Sequence, residues 1–324
     1  MLEEHPHITL ESLRRGSKWN ECSKHLHALS PLWRNPIYNR LAYERLVRKS
    51  NEITEIYRAT MEDWAQTMHL LLFRFICGMQ NKSAAERLAR CVPYKVVMRE
   101  NASLNRLEAL LLGASGLLEL ADDEPYIESL RREFEHLAAK YNITAMSSRE
   151  WRTKGIYYHN HPILRIAQIT ACLHFRGIDF SKILACATRE DVYNLFAVSA
   201  SEFWASWLER RAYGDVKVSR RVGHFMSDII GINVVAPLLY TYGVYIESAE
   251  FVDRSMSLLE KIPSENNSYM QAWNSHGTVA TTAYHSQALL QLSREYCSRT
   301  RCAECPLANT LLSPQYQALI KNQQ

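Results

Sequence analysis

Apolar residues recur along most of the chain at three- and four-residue steps, the spacing that gathers them on one face of a helix. In TMEDWAQTMHLLLFRFIC, residues 60–77, Trp64, Met68, Leu71, Leu72 and Phe75 share such a face, and Thr60 with Asp63 reads as a capping box before it. The pattern also predicts helices over 103–112, ended by Gly113 and Gly116, and over 124–140, where Tyr126, Leu130, Phe134, Leu137 and Ala138 line one side. Further helices are expected at 163–175, 199–211, 218–230, 249–261 and 279–296. No alternating β-branched run is long enough to build a sheet, and 11 glycines and 10 prolines are too few to punctuate many short strands. The expected fold class is therefore all-α, a multi-helical globular protein with a C-terminal cysteine loop.

A polar stretch, YNITAMSSREWRTKGIYYHNHP, interrupts the periodicity after residue 140. It divides the chain into an N-terminal helical region, 1–145, and a C-terminal helical region, 160–324, compatible with packing as one domain. The uncharged stretch IIGINVVAPLLYTYGVYI, residues 229–246, has the length of a short membrane span but contains Gly231, Asn233, Pro237 and Gly243. It reads instead as a buried core helix broken near Pro237, so no membrane partner is expected.

Charge changes the picture little: 38 Lys and Arg against 34 Asp and Glu leave a net +4, so a nucleic-acid partner has to be met by a local patch. The most basic segment is RRAYGDVKVSRRVGH, where Arg210, Arg211, Lys217, Arg220 and Arg221 are candidate phosphate contacts and Tyr213 is placed to stack. A solvated basic face is the other reading of the same residues. Trp204 and Trp207 are expected in the core. Histidine pairs at His5, His25 and His159, each with a second histidine two residues on, are expected on the surface or in loops.

Eight cysteines and an N-terminus, MLEEHPHITLE, without an apolar leader lead to the expectation of reduced thiols in a cytoplasmic protein. Near the C-terminus, Ala280, Tyr284, Ala288, Leu292 and Tyr296 step by four and deliver Cys297 at a helix end. Cys302 and Cys305 follow in a Cys-x-x-Cys turn, the spacing of zinc and iron–sulfur sites. Arg294, Arg299 and Arg301 favour the thiolate form. Three thiols fall one short of a closed set, which Cys22 completes if the fold carries it there. The candidate metal ligands are Cys22, Cys297, Cys302 and Cys305, with zinc or an iron–sulfur cluster as the candidate cofactor and a structural loop that binds nothing as the alternative.

The segment QALLQLSREYCSRTRCAECPL resembles the C-terminal iron–sulfur loop of the helix-hairpin-helix DNA glycosylases, Cys297, Cys302 and Cys305 matching three of its four ligands. Leu311 stands where the fourth would be, and the family's Leu-Pro-Gly-x-Gly hairpin is absent. Six ordered blocks, NRLAYERLVRKSNEI, DWAQTMHLLLFRFIC, LNRLEALLLGASGLL, HPILRIAQITA, LLEKIPSENNSYMQAW and HSQALLQLSREYCSRTRCAECPL, resemble an uncharacterised bacterial family, domain of unknown function 2851. That resemblance implies a helical body of unassigned activity, and it implies that this chain begins after an N-terminal nuclease-like region bearing a Glu-Ile-His motif. It also implies an Arg-Pro-x-Asn-Phe-Pro segment, of which Asn160, Pro162 and the following Arg165 remain, making Arg165 a further nucleic-acid candidate.

No Gly-x-Ser-x-Gly elbow, P-loop or His-Glu-x-x-His motif nominates a catalytic residue. Two classes of function stay open. One is a non-enzymatic helical module that associates with nucleic acid or with another protein chain. The other is part of a DNA-processing enzyme, a nuclease or glycosylase relative, whose catalytic region is missing or degenerate.

Overall fold

The computed structural model describes residues 9–15, 20–212 and 214–321, and among them no named strand occurs. The protein is all-α. Its first helices are α1 (Leu10–Arg15), α2 (Asn20–Ala28), α3 (Pro31–Ala59), α4 (Trp64–Ile76), α5 (Lys82–Cys91), α6 (Tyr94–Arg99), α7 (Leu104–Ala114), α8 (Pro125–Tyr141) and α9 (Pro162–Arg176). There follow α10 (Phe180–Ala185), α11 (Arg189–Phe196), α12 (Glu202–Arg211), α13 (His224–Ile230), α14 (Ala236–Tyr245), α15 (Ala249–Lys261), α16 (Ser268–Ser275), α17 (Ala283–Gln291), α18 (Pro306–Leu312) and α19 (Pro314–Lys321).

Two compact units result. One joins the residues up to Asn51 with those from Leu259 onward, and the other is Glu52–Leu258, so the boundaries fall inside α3 and inside α15. The polar stretch around residues 145–160 lies within the second unit. It is tied down there: the buried Trp151 donates its indole N–H to the Ser115 carbonyl at 2.9 Å, and the Asn81 amide bonds the backbone of Arg152 at 2.8 and 3.0 Å.

In the second unit, α9 is buried from Pro162 to Leu173, all round rather than on one stripe, and packs against α7 and α4. The cap of α4 is Asp63, whose carboxylate accepts from the Gln66 amide at 3.0 Å, whereas the Thr60 hydroxyl turns back to the Tyr57 carbonyl. Gly113 does not end α7. It lies within the helix, where a Cβ would meet the root of the Phe134 side chain on α8 at 2.1 Å, so the missing side chain lets α7 and α8 approach. Gly116, in the left-handed region at φ +73°, does the stopping, close against the Met146 carbonyl.

The helix over His224–Tyr245 is the one among the described residues long and apolar enough to cross a membrane, and 72% of its apolar window is buried inside the protein. It is widened rather than broken: Gly231–Val235 forms a π-turn in which the Ala236 amide reaches the Gly231 carbonyl. Pro237 has no N–H to give and its ring would collide with the carbonyl four residues back, so a turn with one extra residue accommodates it.

The first unit is closed by bonds between residues from the two ends of the chain. The Ser23 hydroxyl donates to Thr278 Oγ1 at 2.9 Å, and the Thr278 hydroxyl donates to the Ser23 carbonyl at 2.8 Å. Arg45 reaches the Gln287 side chain at 3.0 Å, the Tyr296 hydroxyl donates to Glu44 at 2.8 Å, and the buried Trp273 donates to Ser293 Oγ at 2.9 Å.

Candidate functional site

The basic segment begins at the end of α12, and its five Arg and Lys residues separate into two groups. Arg210 pairs with Glu124 at 2.8 Å and Arg211 pairs with Asp122, so the acidic loop before α8 neutralises both. Arg211 also lies over the Trp207 ring, 4.0 Å from its centroid. Trp204 and Trp207 are buried, as expected. Tyr213 lies outside the described residues.

Residues 218–222, expected within a helix, are instead extended. They pair antiparallel with residues 198–200: the Ala200 amide donates to the Arg220 carbonyl and the Val222 amide to the Val198 carbonyl, both at 3.0 Å, with a bridge between Ser199 and Arg221. Val218 and Val222 are buried on this bridge, which turns Lys217, Arg220 and Arg221 outward to solvent. None of these three forms an ion pair among the described residues. Beside them the His224 ring stacks on Tyr193 at 3.7 Å, Arg221 lies 5.8 Å from the same Tyr193 ring, and Phe225 is 65% exposed. Sequence reasoning missed Tyr193 and Phe225; an aromatic directly after the RRVGH run was the signal for the second.

Arg165 does not share that surface. It is 7% exposed on α9, donates to Gln168 Oε1 and Asn160 Oδ1 at 2.9 Å each, and keeps Nε without a partner. Burial pulls its guanidinium down to about 10, against the opposing effect of Cys77. Gln168 continues the network outward, its amide donating to the Arg220 carbonyl at 3.3 Å. Arg165 is therefore connected, through Gln168, to the backbone that carries Arg220. His161, expected on the surface or in a loop, lies in the connection just before α9 but is buried, and burial holds its imidazole near 4, in the neutral form. His159 is exposed, and His5 and His7 lie outside the described residues.

The cysteine loop belongs to the first unit. A second π-turn, Leu292–Cys297, follows α17 and carries Cys297 at its end, with the Ser298 amide reaching the Ser293 carbonyl at 2.8 Å. The Arg301 amide returns to the Tyr296 carbonyl at 2.9 Å, so the chain doubles back with Cys297 and Cys302 flanking the closure. The Cys305 amide then reaches the Cys302 carbonyl at 3.2 Å in a single 3₁₀ turn. Cys22 lies on α2, which packs against α18, the helix that Cys305 precedes. Burial pushes the Cys297 thiol far up, with Cys22, Cys305 and Cys302 close enough to push it further. Among the described residues no three His, Cys, Asp or Glu side chains stand in a metal-ligating arrangement. Leu311 is fully buried core.

No curated protein and no solved structure matches the sequence. The profile of one family, described as protein of unknown function (DUF2851), matches residues 1–268, most of the chain and the whole of the second unit. This all-α protein belongs to the DUF2851 family.

Proposed function

We propose that the protein is a nucleic-acid-associated helical module whose contact surface is the patch of Lys217, Arg220 and Arg221 with Phe225 and the Tyr193–His224 ring pair. The observation that carries this reading is that three solvent-facing cations lacking carboxylate partners are fixed by a backbone bridge beside an exposed aromatic ring. Phosphates satisfy unpaired guanidinium and ammonium groups, and bases stack on aromatic faces, a combination suited to single strands. The paired Arg210 and Arg211 contribute less, because Glu124 and Asp122 already hold them.

Fluorescence anisotropy with a labelled oligothymidine of about 16 nucleotides tests the reading. Three phosphate contacts predict that log K falls against log salt with a slope of about −2 for a single strand. The Arg220→Glu, Arg221→Glu double variant should abolish binding, and Phe225→Ala should weaken it by about 1 to 3 kcal/mol. Binding that is absent at low salt, or indifferent to the double variant, overturns the proposal.

A further inference from the structure

We infer that Arg165, with His161 and Trp207, is a receptor for one phosphate group, either free inorganic phosphate or the phosphoryl end of a larger molecule. The site lies in the second unit at the start of α9 and stands whether or not the outer basic patch binds nucleic acid, so either proposal can fail alone.

A buried charge is normally paired, because leaving water is costly for an ion unless a counter-charge compensates. Arg165 is buried, yet among the described residues no carboxylate pairs with it, and its guanidinium is held by two neutral amides, Gln168 and Asn160. The acidic group that acts on it is the Cys77 thiol. Burial pushes that thiol up to about 12, so it stays neutral and supplies no negative charge.

Around this uncompensated cation stand groups without acceptors. Arg165 Nε, His161 Nδ1 and Trp207 Nε1 are each buried without a partner among the described residues. They belong to neighbours: the Arg165 amide donates to the His161 carbonyl at 3.1 Å, and the His161 ring meets Trp207 at 6.2 Å between centroids, edge to face, where α12 packs on α9. Guanidinium and indole N–H groups only donate, and a neutral imidazole carries its N–H at Nδ1 in one of its two tautomers. The His161 side chain gives no bond to the first amides of α9, so the positive end of a 15-residue helix adds to the field. Arg211, over the Trp207 ring, adds a second guanidinium that it shares with Asp122.

Donors gathered around an unpaired positive charge fit an anion whose oxygens only accept. Water brings no charge to the guanidinium, and a carboxylate has two oxygens for three donor groups. A phosphate offers a separate oxygen to each and matches the flat fork of arginine. Asn160 marks the way in. It is exposed on the single 3₁₀ turn Tyr158–Asn160, and its Oδ1 holds Arg165 Nη2, so an entering phosphate oxygen takes the place of that amide oxygen.

Isothermal titration calorimetry of the full chain with sodium phosphate, against sodium chloride at matched ionic strength, should show saturable one-to-one binding of phosphate alone. Trp207→Phe keeps a ring and removes the indole donor, and should weaken binding about tenfold or more. Arg165→Gln should abolish binding; should that variant fail to fold, Trp207→Phe alone decides. The Arg220→Glu, Arg221→Glu double variant should bind phosphate as wild type does. Competition with oligothymidine tells the sources apart. Displacement of phosphate by a 5′-phosphorylated strand but not by its 5′-hydroxyl counterpart assigns the site to a strand terminus, and displacement by neither assigns it to free phosphate. Displacement by both alike places the phosphate at the outer patch and overturns the inference. So does a wild-type chain without saturable phosphate binding, or Trp207→Phe binding as tightly as wild type.

Discussion

Glu108 is a carboxyl group in the interior of the second unit, with no solvent exposure. The Tyr126 hydroxyl and the Trp204 indole both donate to its Oε2, at 2.5 and 3.0 Å, while Oε1 has no partner. Burial raises its proton affinity above the usual carboxylate range, against the pull of these donors and of Ser201. A carboxyl whose folded-state pKa is raised binds its proton more tightly folded than unfolded, so stability falls as pH climbs from the usual carboxylate value to the raised one. Glu108→Gln keeps an acceptor for Tyr126 and Trp204 and removes the titration. Thermal melts should place it close to wild type at about pH 4 and above wild type at about pH 8; equal spacing of the two curves at both pH values would count against this. Nothing in the local sequence separates Glu108 from a surface glutamate, because its partners lie 18 and 96 residues away. The same holds for Arg210 and Arg211, whose acids Glu124 and Asp122 lie 86 and 89 residues away.

Periodicity located the helices well, since α4, α7, α8, α9 and α15 sit where the apolar steps put them. It failed at ends and interruptions. The run at 218–230 carries a helical spacing, yet residues 218–222 spend their backbone bonds on residues 198–200 and the helix starts at His224, behind the extended Gly223. Pairing across some twenty residues overrides a local preference, and a single sequence offers no trace of it. Gly113 shows the same limit from the other direction. As a mid-helix glycine it should cost about 1 kcal/mol relative to alanine, so propensity alone predicts that Gly113→Ala stabilises. Its Cβ would lie 2.1, 2.4 and 2.7 Å from three atoms at the base of the Phe134 side chain, which cannot swing aside like a flexible tip. Overpacking of about 1 to 3 kcal/mol should win, and chemical denaturation should find the variant less stable. A more stable Gly113→Ala protein would show that α7 and α8 separate easily.

The two units differ in how the chain builds them. The second is a run of consecutive residues, Glu52–Leu258, and its principal packing pairs, α4 with α5 and α7 with α8 and α9, are close neighbours in sequence. A fragment of residues 52–258 should therefore retain strong helical circular dichroism and a cooperative thermal transition; a broad, featureless melt would refute this. The first unit is assembled from both ends of the chain, which is why the packing of α2 against the C-terminal segment was beyond the reach of the sequence. The bond between Ser23 and Thr278 spans 255 residues. At the usual rate of translation, about 5 to 20 residues per second, Ser23 leaves the ribosome roughly 13 to 50 seconds before its partner is made. During that interval the apolar faces of α2 and of the first part of α3 have no completed neighbour. The opening helices of this protein are thus a natural client segment for a chaperone during synthesis, and any ribosome stall late in the message prolongs their exposure.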